Sequence, residues 1–289
     1  MLGAYAAALA CTQVLTLGLS LAGVAIGQGL AAGVLILSGA AGAVLYRRWQ
    51  PGSQAIDRGD HGDQGDSTSA RLVANLLCVA IAAIYLLLWW IAVLSVDLTC
   101  DGNAYHLPPI SLWWRAGGVY WIDPRMQLEP LMNGYPKGVE LVGYVLARAL
   151  DSTSVANAIN LIYLPLGVFA LGYLSRRLGG AAWSAPLAGL LYLLLPVTLW
   201  QSPTAYLDSA YASAFMALAA ATLLCEGAYR ATGVSEPAQA LILGTTAGLA
   251  LGAKSSAGAT VGLAFILLLA TAVASALRPA ERRRGLLGR

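Results

Sequence analysis

Long stretches of this chain contain no charged side chain. Residues 2–46 form the first such run, and the others are 72–96, 152–175, 178–207, 209–225, 237–253 and 255–277. Only 11% of the 289 residues are charged, against about 25% in an ordinary soluble domain. A chain so poor in charge cannot cover itself with polar surface, which excludes a soluble enzyme, a disordered protein and a nucleic-acid-binding protein.

The charge-free runs predict membrane-spanning helices. A helix needs about 20 apolar residues to cross the hydrocarbon core, and the first run is long enough for a hairpin of two. The runs are apolar on every side, without the alternation of polar and apolar residues that a β-barrel requires. We therefore predict an all-α polytopic membrane protein with about eight transmembrane helices.

The basic residues predict the orientation of these helices. If residues 47–71, 176–180, 229–236 and 278–289 are cytoplasmic, they hold 12 of the 17 Lys and Arg residues. Such a bias is typical of cytoplasmic loops. It also predicts that the 13-residue stretch 138–150 is a juxtamembrane helix near the outer surface. If this stretch crossed the membrane, the arginine clusters at 176–177 and 282–284 would both lie outside.

The resulting organisation has three parts. Residues 1–46 form an N-terminal transmembrane hairpin, which we expect to be an appendage, and residues 47–71 form a polar, Gly-rich cytoplasmic linker. The main module covers residues 72–289, with a large external loop at 97–151, later spans at 152–277 and a basic cytoplasmic tail at 278–289. We expect an integral protein of a bacterial cytoplasmic membrane whose site faces outward.

The external loop gathers most of the charge that could carry chemistry. Its ionisable residues stand beside Trp113, Trp114, Tyr120, Trp121 and Tyr135; they include Asp97, Asp101, His106, Arg115, Asp123, Arg125, Glu129, Lys137 and Glu140. Asp101 follows a span directly, and a carboxylate at the mouth of a helix bundle can serve as a general base or hold a divalent metal. Asp97, Asp123 and Glu129 are expected to be solvated, and Arg115 and Arg125 to contact lipid headgroups.

The segment DGNAYHLP, residues 101–108, resembles the first external loop of the GT-C superfamily of polytopic membrane glycosyltransferases. That class includes protein mannosyltransferases and the aminoarabinose transferase of lipid A. Further segments resemble family motifs in the same order along residues 72–277; they are YPKG at 135–138, SPTAYLD at 202–208 and GLALGAK at 248–254.

The resemblance implies transfer of a sugar from a polyprenyl-phosphate donor to a glycan, lipid or protein acceptor at the outer face of the membrane, with inversion at the anomeric carbon. Asp101 would be the general base or a metal-associated carboxylate. Lys137 and Lys254 would stabilise the departing phosphate, and His106 would orient the loop or contact that phosphate. Asp208 would bind the acceptor or a divalent metal, Mg²⁺ or Mn²⁺, and no nucleic-acid partner is expected.

Two departures from the family pattern leave alternatives open. The chain has two additional spans before the loop, and it ends after six spans of the module, so it is either a C-terminally truncated chain or a reduced member. The sequence also permits a membrane transporter, with helices interrupted by Pro165, Pro186 and Pro196, or a non-catalytic assembly subunit of cell-envelope glycan synthesis.

Overall fold

The fold was analysed in a computed structural model, which describes residues 1–48, 68–123, 125, 126, 128–232 and 237–277. These residues form helices and connecting loops without a strand, so the prediction of an all-α protein is confirmed for them. The greater part of the predicted linker 47–71 and the predicted tail 278–289 lie outside the described residues. The α-helices are α1 (Leu2–Leu21), α2 (Gln28–Arg48), α3 (Thr68–Leu94), α4 (Leu107–Ala116), α5 (Glu129–Gly134), α6 (Gly138–Leu150), α7 (Ile159–Arg177), α8 (Ser184–Leu194), α9 (Pro196–Gln201), α10 (Asp208–Thr232), α11 (Pro237–Ala253) and α12 (Ala257–Ala276).

Five helical segments are long and apolar enough to cross a membrane, as expected of an integral membrane protein. They are Leu2–Leu21, Thr68–Leu94, Thr153–Arg177, Asp208–Gly227 and Ala257–Ala274. Three shorter apolar helices, Gln28–Val44, Ser184–Leu194 and Pro237–Ala253, occupy the other predicted spans. The count of eight spans therefore stays a prediction.

The predicted span at 178–207 is divided into two helices. Helix α8 has 11 residues, or about 17 Å of a hydrocarbon core of about 30 Å. It ends at Leu194, because the next residue, Leu195, has an extended ψ of 129°. Pro196 follows Leu195, and the ring of a proline disfavours the helical conformation in the residue before it.

Proline has a different effect within α7, where Pro165 lies inside the helix. A proline lacks the N–H that would bond to the carbonyl four residues earlier, here Leu161. The hydroxyl of Tyr85 in α3 donates to that carbonyl oxygen at 3.0 Å. A neighbouring helix therefore satisfies the freed backbone group, which allows the proline to stand in an apolar helix.

The N-terminal hairpin is part of the helix bundle rather than an appendage. Tyr5 in α1 donates to the carbonyl of Ile162 at 2.6 Å, and Nε2 of Gln13 donates to Tyr163 at 2.6 Å and to the carbonyl of Gly138 at 2.8 Å. Small residues and a single amide allow α1 to pack closely against α6 and α7. The separation expected from the polar linker is therefore absent in the folded chain.

Helix α6, which covers the predicted juxtamembrane segment 138–150, is largely enclosed by the other described helices. Nine of its 13 residues are buried, including Glu140 and Tyr144. It packs against α1, α2, α4, α7 and α11. By contrast, α3 and α12 are mostly exposed apolar helices, with 11% of each candidate span buried against 72% for the span that contains α7.

Connections far apart in sequence meet at one end of the bundle, which we call the loop end. It comprises the α1–α2 turn at 22–27, the described part of 95–158, the α9–α10 turn at 202–207 and the α11–α12 turn at 254–256. Nε of Arg148 donates to the carbonyl of Ile26 at 2.8 Å, and the carboxylate of Asp97 accepts from the N–H of Ala205 at 2.7 Å. At the opposite end the guanidinium of Arg177 lies beside Gly227. The segments predicted to be external thus lie together.

Candidate functional site at the loop end

A short π-helix at residues Gly102–His106 connects the end of α3 to α4. Pro108 and Pro109 follow it and lack the N–H groups that an α-helix would need there. The N–H of Leu107 instead bonds to the carbonyl of Gly102 five residues earlier. Such π-helical turns are frequent at functional sites, and this one carries Tyr105 and His106.

Asp97 holds this turn in place. Its side chain is buried, and it accepts hydrogen bonds from the N–H of Thr99 and the N–H of Ala205, both at 2.7 Å. A Cβ on Gly102 would lie 2.1 Å from Oδ2 of Asp97, so no larger residue fits there. The expectation that Asp97 is solvated is therefore wrong. Its carboxylate oxygens accept hydrogen bonds from backbone N–H groups of two different loops, as buried polar groups require.

Asp101 lies at the N-terminus of the π-helix and is only partly buried. Its carboxylate interacts with the hydroxyl of Tyr105, whose ring stacks on Tyr135 with centroids 5.2 Å apart and an angle of 11° between the planes. Burial, together with the hydrogen bond and charge of Asp101, raises the pKa of Tyr105. Tyr105 is therefore a neutral hydroxyl at physiological pH, beside a carboxylate that remains partly accessible.

His106, Lys137 and Glu140 form a buried charged cluster. Oε1 of Glu140 lies 2.8 Å from Nδ1 of His106 and 3.1 Å from Nζ of Lys137. The exposed fractions of the side chains are 8% for His106, 17% for Lys137 and 0% for Glu140. Burial raises the pKa of the Glu140 carboxyl, but the hydrogen bond from His106 and the charge of Lys137 outweigh this effect and leave the pKa below its ordinary value. Glu140 is therefore a carboxylate despite its burial.

Asp208 and Lys254 form a second charged pair, in which Nζ of Lys254 donates to Oδ1 of Asp208. Their side chains are 37% and 41% exposed, so both can contact a ligand. The hydrogen bond with Asp208 raises the pKa of Lys254, against a smaller opposing effect of burial. Tyr206, in the turn that leads to Asp208, interacts electrostatically with both Lys254 and Tyr105.

The two lysine-bearing segments meet at a pair of glycines. A Cβ on Gly138 would lie 2.8 Å from the carbonyl oxygen of Gly252. The start of α6, directly after Lys137, therefore packs on the end of α11, two residues before Lys254. The contact joins two of the segments that carry the family resemblance, YPKG at 135–138 and GLALGAK at 248–254.

Asn160 organises the turn that leads to Asp208. It is fully buried, and its Nδ2 donates to the carbonyls of Gln201, Thr204 and Tyr206 at 3.2, 2.7 and 2.8 Å. Its Oδ1 accepts from the N–H of Ala210, within the first turn of α10, at 3.1 Å. One side chain thus satisfies the backbone groups that the α9–α10 turn leaves unpaired.

The structure brings the five sequence-predicted site residues to the loop end in two charged groups. His106 and Lys137 share Glu140, Lys254 pairs with Asp208, and Asp101 stands beside Tyr105, whose ring lies 4.5 Å from that of His106. Sequence reasoning missed Glu140 as a site residue, although a carboxylate three positions after Lys137 in a short apolar helix was a usable signal. It also missed Tyr206, which lies within the SPTAYLD segment, and Asn160, which belongs to none of the resembling segments.

The other ionisable residues of the external loop have different surroundings. Arg115 and Arg125 are exposed, and Arg125 pairs with Asp123. Glu129 accepts from the amide of Asn133. These are the surface positions that the sequence predicted for Asp123, Arg115 and Arg125, whereas Glu129 is engaged within the loop.

The described residues contain no group of three or more His, Cys, Asp or Glu side chains that could hold a metal ion. A cavity of about 560 Å³ lies behind the Asp97 loop, with Ser95, Asn103, Ser111, Thr153 and Asn157 among its lining residues. It is separate from the Asp101 and Lys254 groups, which do not line it.

Fold, composition and apolar surface together define a helical integral membrane protein with a charged cluster at one end. No protein-family model, no curated protein and no solved structure matches the chain.

Proposed function

We propose that the protein is a membrane glycosyltransferase that moves a sugar from a polyprenyl-phosphate donor to an acceptor at the outer face of the membrane. One observation carries the proposal: a partly accessible carboxylate, Asp101, and a partly accessible ammonium, Lys254, lie at the same end of an apolar helix bundle. The segments that hold them are those that resemble GT-C transferases.

The chemistry needs a base and a counter-charge for the leaving group. In the proposed step the oxygen of the acceptor hydroxyl bonds to the anomeric carbon, while the proton of that hydroxyl passes to Asp101. The bond from that carbon to the phosphate oxygen breaks, and its electron pair leaves with the polyprenyl phosphate. Attack opposite the leaving group inverts the anomeric centre. Positive charge beside the departing phosphate stabilises the transition state.

Lys254 is better suited than Lys137 to contact the phosphate. Its ammonium is 41% exposed, whereas Lys137 is 17% exposed and paired with a fully buried carboxylate. Lys137 would act on the phosphate only if its ammonium were shared with Glu140. Asp208 then has two proposed roles, which are to hold Lys254 in position and to bind the acceptor or a divalent metal such as Mg²⁺ or Mn²⁺.

The test is a transfer assay on the purified full chain in lipid nanodiscs. Short-chain polyprenyl phosphates carrying mannose, glucose or arabinose serve as donors, and release of polyprenyl phosphate is measured with a panel of glycan, lipid and peptide acceptors. Asp101→Asn is expected to lower turnover roughly 10²- to 10⁴-fold, because the amide cannot take the proton. Asp123→Asn, an exposed carboxylate of the same loop, is the matched control and should retain turnover.

Two outcomes would contradict the proposal. If Asp101→Asn keeps full turnover, Asp101 is not the base. If no donor in the panel releases polyprenyl phosphate while the wild-type protein remains folded, the glycosyltransferase assignment fails in favour of a transporter or an assembly subunit.

A further inference from the structure

In the His106–Glu140–Lys137 cluster, one buried carboxylate contacts both a histidine and a lysine. Glu140 is fully buried, and both of its polar contacts converge on one oxygen, Oε1. The three side chains come from two segments: His106 ends the π-helix, and the other two stand at the start of α6. A buried carboxylate in this position fixes the relation between the π-helix and α6.

The charge of Glu140 determines which nitrogen of His106 carries hydrogen. A carboxylate only accepts hydrogen bonds, so the 2.8 Å contact requires a hydrogen on Nδ1. The ring nitrogen that bears hydrogen is set in this way by the partner of the other nitrogen. The ammonium of Lys137 already balances the negative charge of Glu140. A second proton on His106 would leave an uncompensated positive charge in a cluster that is almost closed to solvent, which is costly.

We propose that Glu140 is a positioning residue that holds His106 as a neutral ring with hydrogen on Nδ1 and a free lone pair on Nε2. The two ring nitrogens point in divergent directions, so Nε2 faces away from Glu140. The ring of His106 lies 4.5 Å from the ring of Tyr105 and 6.4 Å from that of Tyr135.

This arrangement deepens the proposed function and rests on it for its chemical meaning. Nε2 would accept a hydrogen bond from a second polar O–H or N–H group of the bound acceptor, and so help to orient the acceptor with its reacting hydroxyl towards Asp101. It would not donate to the phosphate, and phosphate binding would then belong to Lys254. Glu140 touches no reacting atom in this scheme and acts only through His106.

The tautomer can be measured without any activity assay. The chain has two histidines, His61 and His106, so ¹⁵N-histidine labelling of the full chain in nanodiscs with His61→Asn gives a single imidazole. The expected nitrogen spectrum at neutral pH shows Nδ1 protonated and Nε2 unprotonated. A ring protonated at Nε2 alone, or at both nitrogens, would overturn the proposal.

Two double variants separate positioning from folding. Lys137→Met with Glu140→Gln and Lys137→Met with Glu140→Leu both remove the charges together, but only the first keeps an acceptor for Nδ1. The Gln pair should retain the Nδ1 tautomer and the Leu pair should lose it. Identical tautomers in the two folded variants would contradict the role of Glu140.

The two double variants also give a kinetic readout. In the transfer assay the Leu pair should lower kcat about tenfold or more relative to the Gln pair, because the ring no longer presents its lone pair, with the KM for the donor nearly unchanged. A rise in donor KM at constant kcat would contradict the acceptor-side role. If no transfer occurs in the wild type, the proposed function fails, but the tautomer result still stands or falls by the nitrogen spectrum.

Discussion

Nζ of Lys254 is hydrogen bonded to Oδ1 of Asp208 across 46 positions of sequence, and both side chains remain partly exposed at the loop end. The pair joins the start of α10 to the turn between α11 and α12. Because both side chains are partly exposed, removing the charge of either one should directly change the binding of a charged ligand at the loop end.

Changes at this pair should separate phosphate binding from other roles of Asp208. Lys254→Gln is expected to raise the KM for the polyprenyl-phosphate donor roughly tenfold, the effect of losing one charge-assisted hydrogen bond. Asp208→Asn removes the negative charge that competes with the phosphate for the ammonium but keeps an amide oxygen that can hold Lys254 in position, so donor affinity should stay equal or increase. A matched control is Arg115→Gln, an exposed cation of the external loop, which should leave the donor KM unchanged. Unaltered donor affinity in Lys254→Gln would contradict the phosphate role.

Gly102 should tolerate no side chain. A Cβ there would meet Oδ2 of Asp97 at 2.1 Å and Oγ1 of Thr99 at 2.5 Å, and overpacking of this kind costs about 1–3 kcal/mol. Gly102→Ala should therefore lower the free energy of unfolding by that amount and displace Asp101. Gly118→Ala, in the same loop with no neighbouring atom within 4 Å, should change it by less than about 0.5 kcal/mol. Equal stability of the two variants in detergent unfolding would contradict this packing.

Asn160 should be required to form the α9–α10 turn. Asn160→Leu leaves several buried backbone groups without partners, and such groups cost about 1–3 kcal/mol each, so a total loss of about 2–4 kcal/mol is expected. Gln28→Leu removes one exposed hydrogen bond to Ala149 and should change stability by less than about 0.5 kcal/mol. The measurement is unfolding by denaturing detergent. A near-neutral Asn160→Leu would show that the turn does not depend on this amide.

Glu140 should contribute acid-sensitive stability. Its pKa in the folded protein lies below the ordinary 4.5 because the contributions of His106 and Lys137 outweigh the raising effect of burial. A carboxyl with a lowered folded-state pKa stabilises the fold above its unfolded pKa, and this contribution is lost as the pH falls through the folded pKa. The stability difference between wild type and Glu140→Gln should therefore be steady near pH 5 and shrink as the pH falls below 4.5 through the folded-state pKa, below the range in which imidazoles ordinarily titrate. A difference that grows on acidification would contradict the assignment.

The sequence predicted much of the fold because the signal is local. An apolar run without charge must satisfy its own backbone hydrogen bonds in a membrane, and only a helix can do so within one segment. The limits of such runs therefore gave most helices. The 13-residue helix at 138–150 contains Glu140 and Arg148, and it was predicted instead from the orientation that the basic residues favour. The helix break at Leu195 follows from the neighbouring Pro196. The continuation of α7 through Pro165, by contrast, depends on Tyr85 in another helix, so the local sequence does not predict it.

The candidate site was only partly predictable. Asp101, His106, Lys137, Asp208 and Lys254 stand out in sequence because charges are so scarce. Their partners do not stand out, since Asp97 is one more acid in a polar loop until the N–H of Ala205 comes within 2.7 Å of it. The hairpin that the linker separates in sequence likewise packs into the bundle through Gln13 and Tyr5.

By itself, the sequence determined that this is a helical protein for an apolar environment and where its few charges lie, because composition and run length act within each segment. Only the tertiary structure decided which charges meet. The burial of Glu140 between His106 and Lys137, and the pairing of Asp208 with Lys254, arise from contacts between helices. The energy of such contacts depends on distances that no sequence interval specifies.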